Sequence, residues 1–184
     1  MVKQQIAMEI KKPFNLQKWI DENRGLLKPP VGNKNIYTES GDFIVMIVGG
    51  PNARKDYHYN ETDEFFFQLE GSITVAVQTE KGKEIMQLNA GDVFLLPAKT
   101  PHSPVRTEGS VGLVVEMKRA NADAKDGLLW FCDNCNEKLY EVYFPLENIE
   151  TDFLPYFKHF YSSEVLRTCK KCGTVMEADK RFIG

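Results

Sequence analysis

The sequence predicts a mainly β fold, an antiparallel sandwich or barrel with the jelly roll among its forms. Short apolar runs rich in β-branched and aromatic residues fill the middle of the chain, and they are too short for typical helices. Turn glycines and prolines separate them at hairpin-like intervals. The predicted strands cover residues 43–48, 64–69, 72–79, 84–88, 92–96 and 111–117.

Shorter elements flank these strands. Residues 14–24 place four apolar side chains at helical intervals, with Asn15 as the expected N-cap and Gly25 as the expected stop. Two consecutive prolines make residues 28–35 an expected loop. Towards the C-terminus, we expect a strand over residues 139–144 and a short helix or loop over residues 152–161.

Composition excludes several classes of function. The chain has 184 residues and a net charge of -3, and its basic residues are mixed with acidic ones, so we expect no nucleic-acid partner. It contains no run of about 18 apolar residues, so we expect no membrane span. The N-terminus lacks the apolar stretch of a secretory signal, which predicts a cytoplasmic location.

The three histidines stand in informative settings. His58 precedes Glu64 by six residues, and His102 follows a predicted strand. Two imidazoles and one carboxylate occupy one face of an octahedral iron(II) ion and leave three positions free for other ligands. Taken alone, each histidine is more often an ordinary surface or hydrogen-bonded side chain. The surrounding motifs favour a metal site.

Those motifs resemble the two sequence motifs of the cupin superfamily. The matching residues are His58, Glu64 and Gly71 in the first motif, and Gly91, Pro97 and His102 in the second. Asn60 stands where a second histidine is usual, which would leave one more metal position for a substrate and O2. Lys99 and Arg106 also depart from the second motif. The resemblance implies an antiparallel jelly-roll barrel with a metal held by His58, Glu64 and His102.

Three charged residues are candidates for holding a ligand. If residues 54–58 are extended, Arg54 and His58 face the same way, and by the same parity His102 and Arg106 share a face. Paired guanidinium groups suit a planar carboxylate. Glu116 lies on one face of its strand, and the pattern leaves open which face is inner. The alternative is that all three are solvated charges at strand edges.

Four cysteines form a second candidate site. They are two CxxC pairs separated by 33 residues, namely Cys132, Cys135, Cys169 and Cys172. Four thiolates suit a closed tetrahedral site for zinc or a single iron, and such a site has no position for a substrate. The alternative is two redox-active or disulfide-forming pairs.

Longer runs are similar to those of the 3-hydroxyanthranilate 3,4-dioxygenase family, from about Phe14 to Cys172. They cover residues 28–33, 42–58, 64–71 and 91–106, together with the paired CxxC tail. The resemblance implies that Arg54, Glu64, Arg106 and Glu116 hold the substrate. It also implies that Asn33 belongs to a mobile loop that closes over the site, next to Arg54 and the O2 position. The cysteines resemble a rubredoxin-like centre.

The family resemblance implies a reaction and an organisation. The implied enzyme uses Fe2+ and O2 to open the ring of 3-hydroxyanthranilate, giving 2-amino-3-carboxymuconate semialdehyde, the precursor of quinolinate. We expect a catalytic barrel over residues 1–125, a metal-binding segment over residues 126–184, and a homodimer. The alternatives are a cupin sugar isomerase, which Asn60 disfavours, and a non-catalytic ligand-binding cupin, which usually carries a helix-turn-helix that this chain has no room for.

Overall fold

The computed structural model describes residues 12–28, 32–38, 41–119, 124–148 and 151–183. Within these ranges the chain forms eleven strands in two antiparallel sheets. The strands are β1 (Asn33–Asn35), β2 (Phe43–Gly49), β3 (Asp56–Tyr59), β4 (Glu64–Glu70), β5 (Ser72–Thr79), β6 (Gly82–Asn89), β7 (Val93–Leu96), β8 (His102–Arg106), β9 (Val111–Met117), β10 (Asp126–Phe131) and β11 (Lys138–Phe144). None of the described helices is long and apolar enough to cross a membrane.

The two sheets face each other across a shared interior. One sheet has the strand order β1-β2-β9-β4-β7, and the other has the order β11-β10-β3-β8-β5-β6. Neighbours in these orders are mostly distant in sequence, as in a jelly roll, where the chain passes repeatedly between sheets. Apolar side chains fill one end of the interior, namely Met46, Phe66, Ile73, Val75, Val77, Leu88, Leu96 and Val114. The predicted mainly β, antiparallel fold is confirmed.

A short helix covers the outer face of the five-stranded sheet. Helix α1 (Leu16–Asn23) begins where the sequence predicts, because the Asn15 side chain accepts a hydrogen bond from the Lys18 backbone N–H. The expected stop at Gly25 is wrong: a 3-10 helix over Arg24–Leu27 continues the chain through it. Ile20 is fully buried in a cluster that includes Ile47 and Val111, and this packing anchors the helix.

All the strands that the pattern of apolar residues predicts are present. The structure has four further strands that this pattern does not predict. Strands β3 and β8 each carry a histidine and contain charged residues or proline, so they lack the apolar alternation of a half-buried strand. Strand β10 is buried along nearly its whole length and shows no alternation. Within the expected loop, residues 29–31 lie outside the described residues, and Asn33–Asn35 form β1 against β2, which corrects that expectation.

The C-terminal segment packs an aromatic cluster against the six-stranded sheet. Helices α2 (Leu154–Ser162) and α3 (Glu164–Arg167) follow β11, and α2 resolves the expectation for residues 152–161 in favour of a helix. The Trp130 and Phe160 rings stack with their centroids 4.3 Å apart, and both side chains are fully buried. Strand β10 pairs with β3, so one sheet continues across the division at residue 125 that we predict. That division stays a prediction.

Removing the Phe160 ring should destabilise the C-terminal segment more than any surface change. We expect Phe160→Ala to lower the free energy of unfolding by about 3–5 kcal/mol, because it leaves a cavity against Trp130. Val165, which is 79% exposed, gives the matched control, and Val165→Ala should change that free energy by less than about 0.5 kcal/mol. Urea denaturation of the metal-loaded proteins measures both. Equal effects of the two substitutions would contradict the packing described.

Candidate functional site

Three side chains from neighbouring strands converge between the sheets. His58 lies in β3 and pairs in register with His102 in β8, while Glu64 begins β4 on the opposite sheet. One potential ligand atom from each residue lies within 4.8 Å of the others, and all three residues are buried. This is the group of two imidazoles and one carboxylate that the sequence predicts, brought together by three different strands.

The unsatisfied polar atoms in this cluster fit a cation. Glu64 Oε2 lies 3.0 Å from His102 Nε2, yet it is buried and makes no hydrogen bond. His102 Nδ1 bonds the Thr100 carbonyl oxygen at 3.1 Å, which makes Nδ1 the protonated nitrogen and leaves the lone pair on Nε2. Although burial opposes it, the Glu64 charge raises the pKa of His102, so either a proton on this pair or one metal ion bound by both atoms satisfies them. The donor set therefore suits a divalent metal.

His58 is held by a residue that sequence reasoning missed. Its Nε2 donates a hydrogen bond to Asp126 Oδ1 at 2.7 Å, and Asp126 is completely buried at the start of β10. The Asp126 carboxylate in turn accepts from Arg119. No motif identifies either residue. The sequence offers one general rule, that a buried carboxylate needs a cationic or hydrogen-bonding partner. In the structure, the cationic partner of Glu116 is Arg119.

Glu116 lies on the inner face of β9, which settles the choice that periodicity leaves open. Its Oε2 accepts hydrogen bonds from Asn60 Nδ2 at 3.1 Å and from Arg119 Nη1 at 2.9 Å, whereas its Oε1 has no partner. Burial, together with the nearby Glu64 charge, raises the pKa of Glu116 to about 7. A carboxyl group with such a pKa can both accept and release a proton near neutral pH.

Arg106 presents an unpaired guanidinium to the interior. The residue is 3% exposed, and its Nε and Nη1 atoms have no hydrogen-bond partner. Burial, opposed in part by the Glu64 charge, lowers the pKa of Arg106 to about 10. Space for the group depends on Gly112, where an added Cβ would lie 2.8 Å from Arg106 Nη1 and 3.0 Å from Gln68 Oε1. A buried, unpaired guanidinium of this kind suits an anionic ligand.

Arg54 lies near the cluster, just before β3, which begins at Asp56. The Arg54 guanidinium pairs with the Asp56 carboxylate, and its side chain is 25% exposed. The Arg54 charge acts on both Glu64 and His102, which places it near the cluster. Its role in holding a ligand stays a prediction.

Comparison with known proteins identifies the family. A family model described as 3-hydroxyanthranilic acid dioxygenase matches residues 8–161. A protein named 3-hydroxyanthranilate 3,4-dioxygenase from Xanthomonas campestris pv. campestris (strain B100) is 56% identical over 170 residues, covering 92% of this chain and 95% of the relative. The chain belongs to the 3-hydroxyanthranilic acid dioxygenase family. The resemblance predicted from the sequence is confirmed.

A second named relative agrees with this assignment. A protein of the same name from Bacillus thuringiensis (strain Al Hakam) is 48% identical over 164 residues, covering 89% of this chain and 90% of the relative. The family model and these two relatives favour neither the sugar isomerase nor the non-catalytic alternative. Among solved structures, the chain is similar to a cupin-2 domain containing protein from Shewanella frigidimarina, with a TM-score of 0.45 and 20% identity, covering 54% of this chain and 92% of that protein.

One residue that the family resemblance implicates lies at the edge of a sheet. Asn33 is in β1, the edge strand of the five-stranded sheet, where it pairs in register with Val48. Among the described residues, no hydrogen bond or ion pair joins the Asn33 side chain to His58, Glu64 or His102. Its role in a closing loop therefore stays a prediction.

The four cysteines of this family member form a separate candidate metal centre. The Cys132 and Cys172 sulfur atoms lie 3.6 Å apart, as do those of Cys135 and Cys169. All four Sγ atoms lie within 4.8 Å of one another, and the cysteines are free. Both of these close pairs join one CxxC motif to the other, and Cys135 also interacts with Cys132 of its own motif. This arrangement suits a tetrahedral metal better than redox-active CxxC pairs.

The two candidate centres should load with metal independently. We expect Cys169→Ser to lower the metal content of fully loaded protein by about one ion per chain and to destabilise the fold. We expect His102→Ala to lose about one ion per chain as well, while the cysteine centre keeps its own. Metal analysis of both variants beside wild type measures this. Loss of both ions in either variant, at unchanged stability, would contradict two separate sites.

Proposed function

We propose that this chain is an iron(II)-dependent 3-hydroxyanthranilate 3,4-dioxygenase. It uses O2 to open the aromatic ring between carbons 3 and 4, giving 2-amino-3-carboxymuconate semialdehyde, the precursor of quinolinate. The observation that carries the proposal is the buried cluster of His58, Glu64 and His102, with an unpaired guanidinium and a carboxyl group beside it. Family membership supports the same reaction.

His58, Glu64 and His102 would hold the iron. When bound there, an iron(II) ion supplies the redox chemistry that lets O2 react with an aromatic ring. Glu64 contributes one negative charge and the imidazoles none, so the occupied site keeps a net positive charge that attracts an anionic substrate. Asn60 makes a hydrogen bond to Glu116 instead of offering a further imidazole, so metal positions stay free for other ligands.

Arg106 binds the carboxylate of the substrate in this proposal. Its Nε and Nη1 atoms have no partner in the protein, so the guanidinium keeps N–H donors for the oxygens of a carboxylate. Arg54 adds a second positive charge at the edge of the cavity. With the carboxylate fixed at one end, the ring is held in one orientation against the three metal ligands, and this removes much of the entropic cost of reaching the reactive geometry.

Glu116 accepts the proton of the substrate hydroxyl group. Its Oε1 atom is buried and free, whereas its Oε2 atom is occupied by Asn60 and Arg119. The raised pKa of Glu116, about 7, matches the task of taking a proton at neutral pH. Asn33 and the neighbouring loop would exclude water once the substrate is bound.

The remaining assignments complete the proposal. The four cysteines hold a structural iron or zinc ion, because four protein ligands leave no open position. We place the enzyme in the cytoplasm, where thiols stay reduced. We also propose a homodimer, a catalytic barrel over residues 1–125 and a metal-binding segment over residues 126–184.

An aerobic assay tests the activity. Protein loaded with iron(II) and given 3-hydroxyanthranilate in air should produce the absorbance of the muconate semialdehyde, with one O2 consumed for each ring opened. His102→Ala should give no product while staying folded, because it loses a metal ligand. Anthranilate, which lacks the hydroxyl group, is the control substrate and should give none. Wild-type turnover by His102→Ala would remove that residue from the site.

Replacing Arg106 should weaken substrate binding without lowering the stability of the fold. We expect Arg106→Gln to lower kcat/KM by roughly 10–100-fold, mainly through a higher KM, because charged hydrogen bonds to the carboxylate are lost. The variant should be at least as stable as wild type, because an unpaired buried charge is removed. Steady-state kinetics and thermal melting measure the two effects.

The matched control for that experiment is Arg24, an exposed arginine paired with Asp21 and Glu70. Arg24→Gln should leave kcat/KM unchanged, since surface ion pairs contribute little and this one is remote from the cluster. A KM for Arg106→Gln equal to that of Arg24→Gln would contradict the assignment of Arg106 as the carboxylate-binding residue.

A further inference from the structure

We propose that Arg119 and Asp126 are positioning residues for the reaction proposed above. The inference rests on that proposed function. Through one pair of side chains, they fix both a metal ligand, His58, and the proton acceptor, Glu116. Neither residue belongs to a recognised motif.

Asp126 determines which nitrogen of His58 is available. Its Oδ1 atom accepts the N–H of His58 Nε2 at 2.7 Å, so the neutral ring keeps its lone pair on the other nitrogen. The bond also fixes the orientation of the ring. Carboxylates that support a metal-bound imidazole in this way typically contribute to metal affinity, although they are not ligands themselves.

Arg119 holds Asp126 in place with a two-pronged contact. The Arg119 Nε atom donates to Asp126 Oδ2 at 2.7 Å, and Nη2 donates to Asp126 Oδ1. Both oxygens of this completely buried carboxylate are therefore bonded, and one of them is shared between Arg119 and His58. A planar guanidinium matches the two oxygens of a carboxylate, whereas a lysine ammonium cannot make the same pair of bonds.

The same guanidinium selects the free oxygen of Glu116. Arg119 Nη1 donates to Glu116 Oε2 at 2.9 Å, and Asn60 donates to the same atom at 3.1 Å. Because Oε2 has two donors, Glu116 Oε1 is the atom left to face a ligand. Arg119 thus settles the rotation of the Glu116 carboxylate as well as that of Asp126.

The buried carboxyl groups require a cation at the position of Arg119. Glu64, Glu116 and Asp126 carry three buried carboxyl groups, and the charges of the other two act on Glu116. In the described part of the chain, Arg119 is the cation that forms ion pairs with Glu116 and Asp126, and its own side chain is 10% exposed. Without it, two buried carboxylates would lie close together uncompensated, and each would be free to rotate or to draw in water.

Asp126 also ties the C-terminal segment to the cavity. It is the first residue of β10, on the far side of the predicted division at residue 125, and β10 ends immediately before Cys132. The segment that carries the cysteine centre thus contributes directly to the setting of His58. This contribution is geometric and does not require any exchange between the two metal centres.

Iron(II) affinity is the measurement that tests the proposal, because it does not depend on turnover. We expect Asp126→Ala to weaken iron(II) binding at the cavity by roughly 10–100-fold in competition with a chelator. Asp126→Asn keeps the shape and one acceptor oxygen, so it should fold even where the alanine variant does not, and it should weaken iron binding to a smaller extent. Cys169→Ser as background removes the iron bound by the cysteines from the signal.

Arg119 is tested in the same way, with kinetics added. Arg119→Gln should weaken iron(II) binding and lower kcat, each by about 10-fold, through the loss of both supports. Arg119→Lys should show smaller losses than Arg119→Gln, because lysine keeps the positive charge but cannot make the paired hydrogen bonds of the guanidinium. Arg24→Gln is the matched control and should behave as wild type.

The outcomes separate this proposal from the proposed function. If folded Arg119→Gln and Asp126→Asn bind iron(II) as tightly as Arg24→Gln and keep its kcat, the positioning role is overturned, even where the variants melt at lower temperature. If wild type opens no 3-hydroxyanthranilate ring but Asp126→Asn still binds iron(II) weakly, the proposed reaction fails while the support of His58 stands.

Discussion

The interior of this protein concentrates charge where a β barrel ordinarily holds apolar side chains. Two imidazoles, three carboxyl groups and the Arg106 guanidinium are buried in one region between the sheets. Burying a charge without a partner is costly, so every such group must be paired or must await a ligand. The pairing divides the region in two: one side is internally compensated, and the other is left open for a metal and an anion.

The compensated side is the chain from Asn60 and Glu116 through Arg119 to Asp126 and His58, in which hydrogen bonds occupy nearly every polar atom. The open side contains Glu64 Oε2, Glu116 Oε1 and two Arg106 nitrogens without partners. Unsatisfied buried atoms reduce the stability of the apo protein. Buried polar atoms without partners in the protein are what a preorganised binding site offers a ligand.

Sequence patterns identify the proposed metal ligands more readily than the residues that support them. His58, Glu64 and His102 stand in spaced motifs, and the structure brings all three together. Arg119 and Asp126 lie in no motif. Asp126 meets His58 only because β10 pairs with β3, and Arg119 is near both of its partners in sequence but follows no spacing rule that marks it. Likewise, β3 and β8 escape detection because functional side chains replace the apolar residues that mark a strand. The alternation of apolar residues marks the buried side of a strand. Where the buried side chains are polar, that alternation is absent.

The position of an iron ion relative to its three proposed ligands is the most direct test of this account. Crystals grown without oxygen and soaked with iron(II) and 3-hydroxyanthranilate can be measured at the iron absorption edge by anomalous diffraction. The account predicts one anomalous peak bounded by His58, Glu64 and His102, with the substrate carboxylate on Arg106 and its hydroxyl group facing Glu116. A cavity without an iron peak, or an iron ion that those three side chains do not contact, would contradict it.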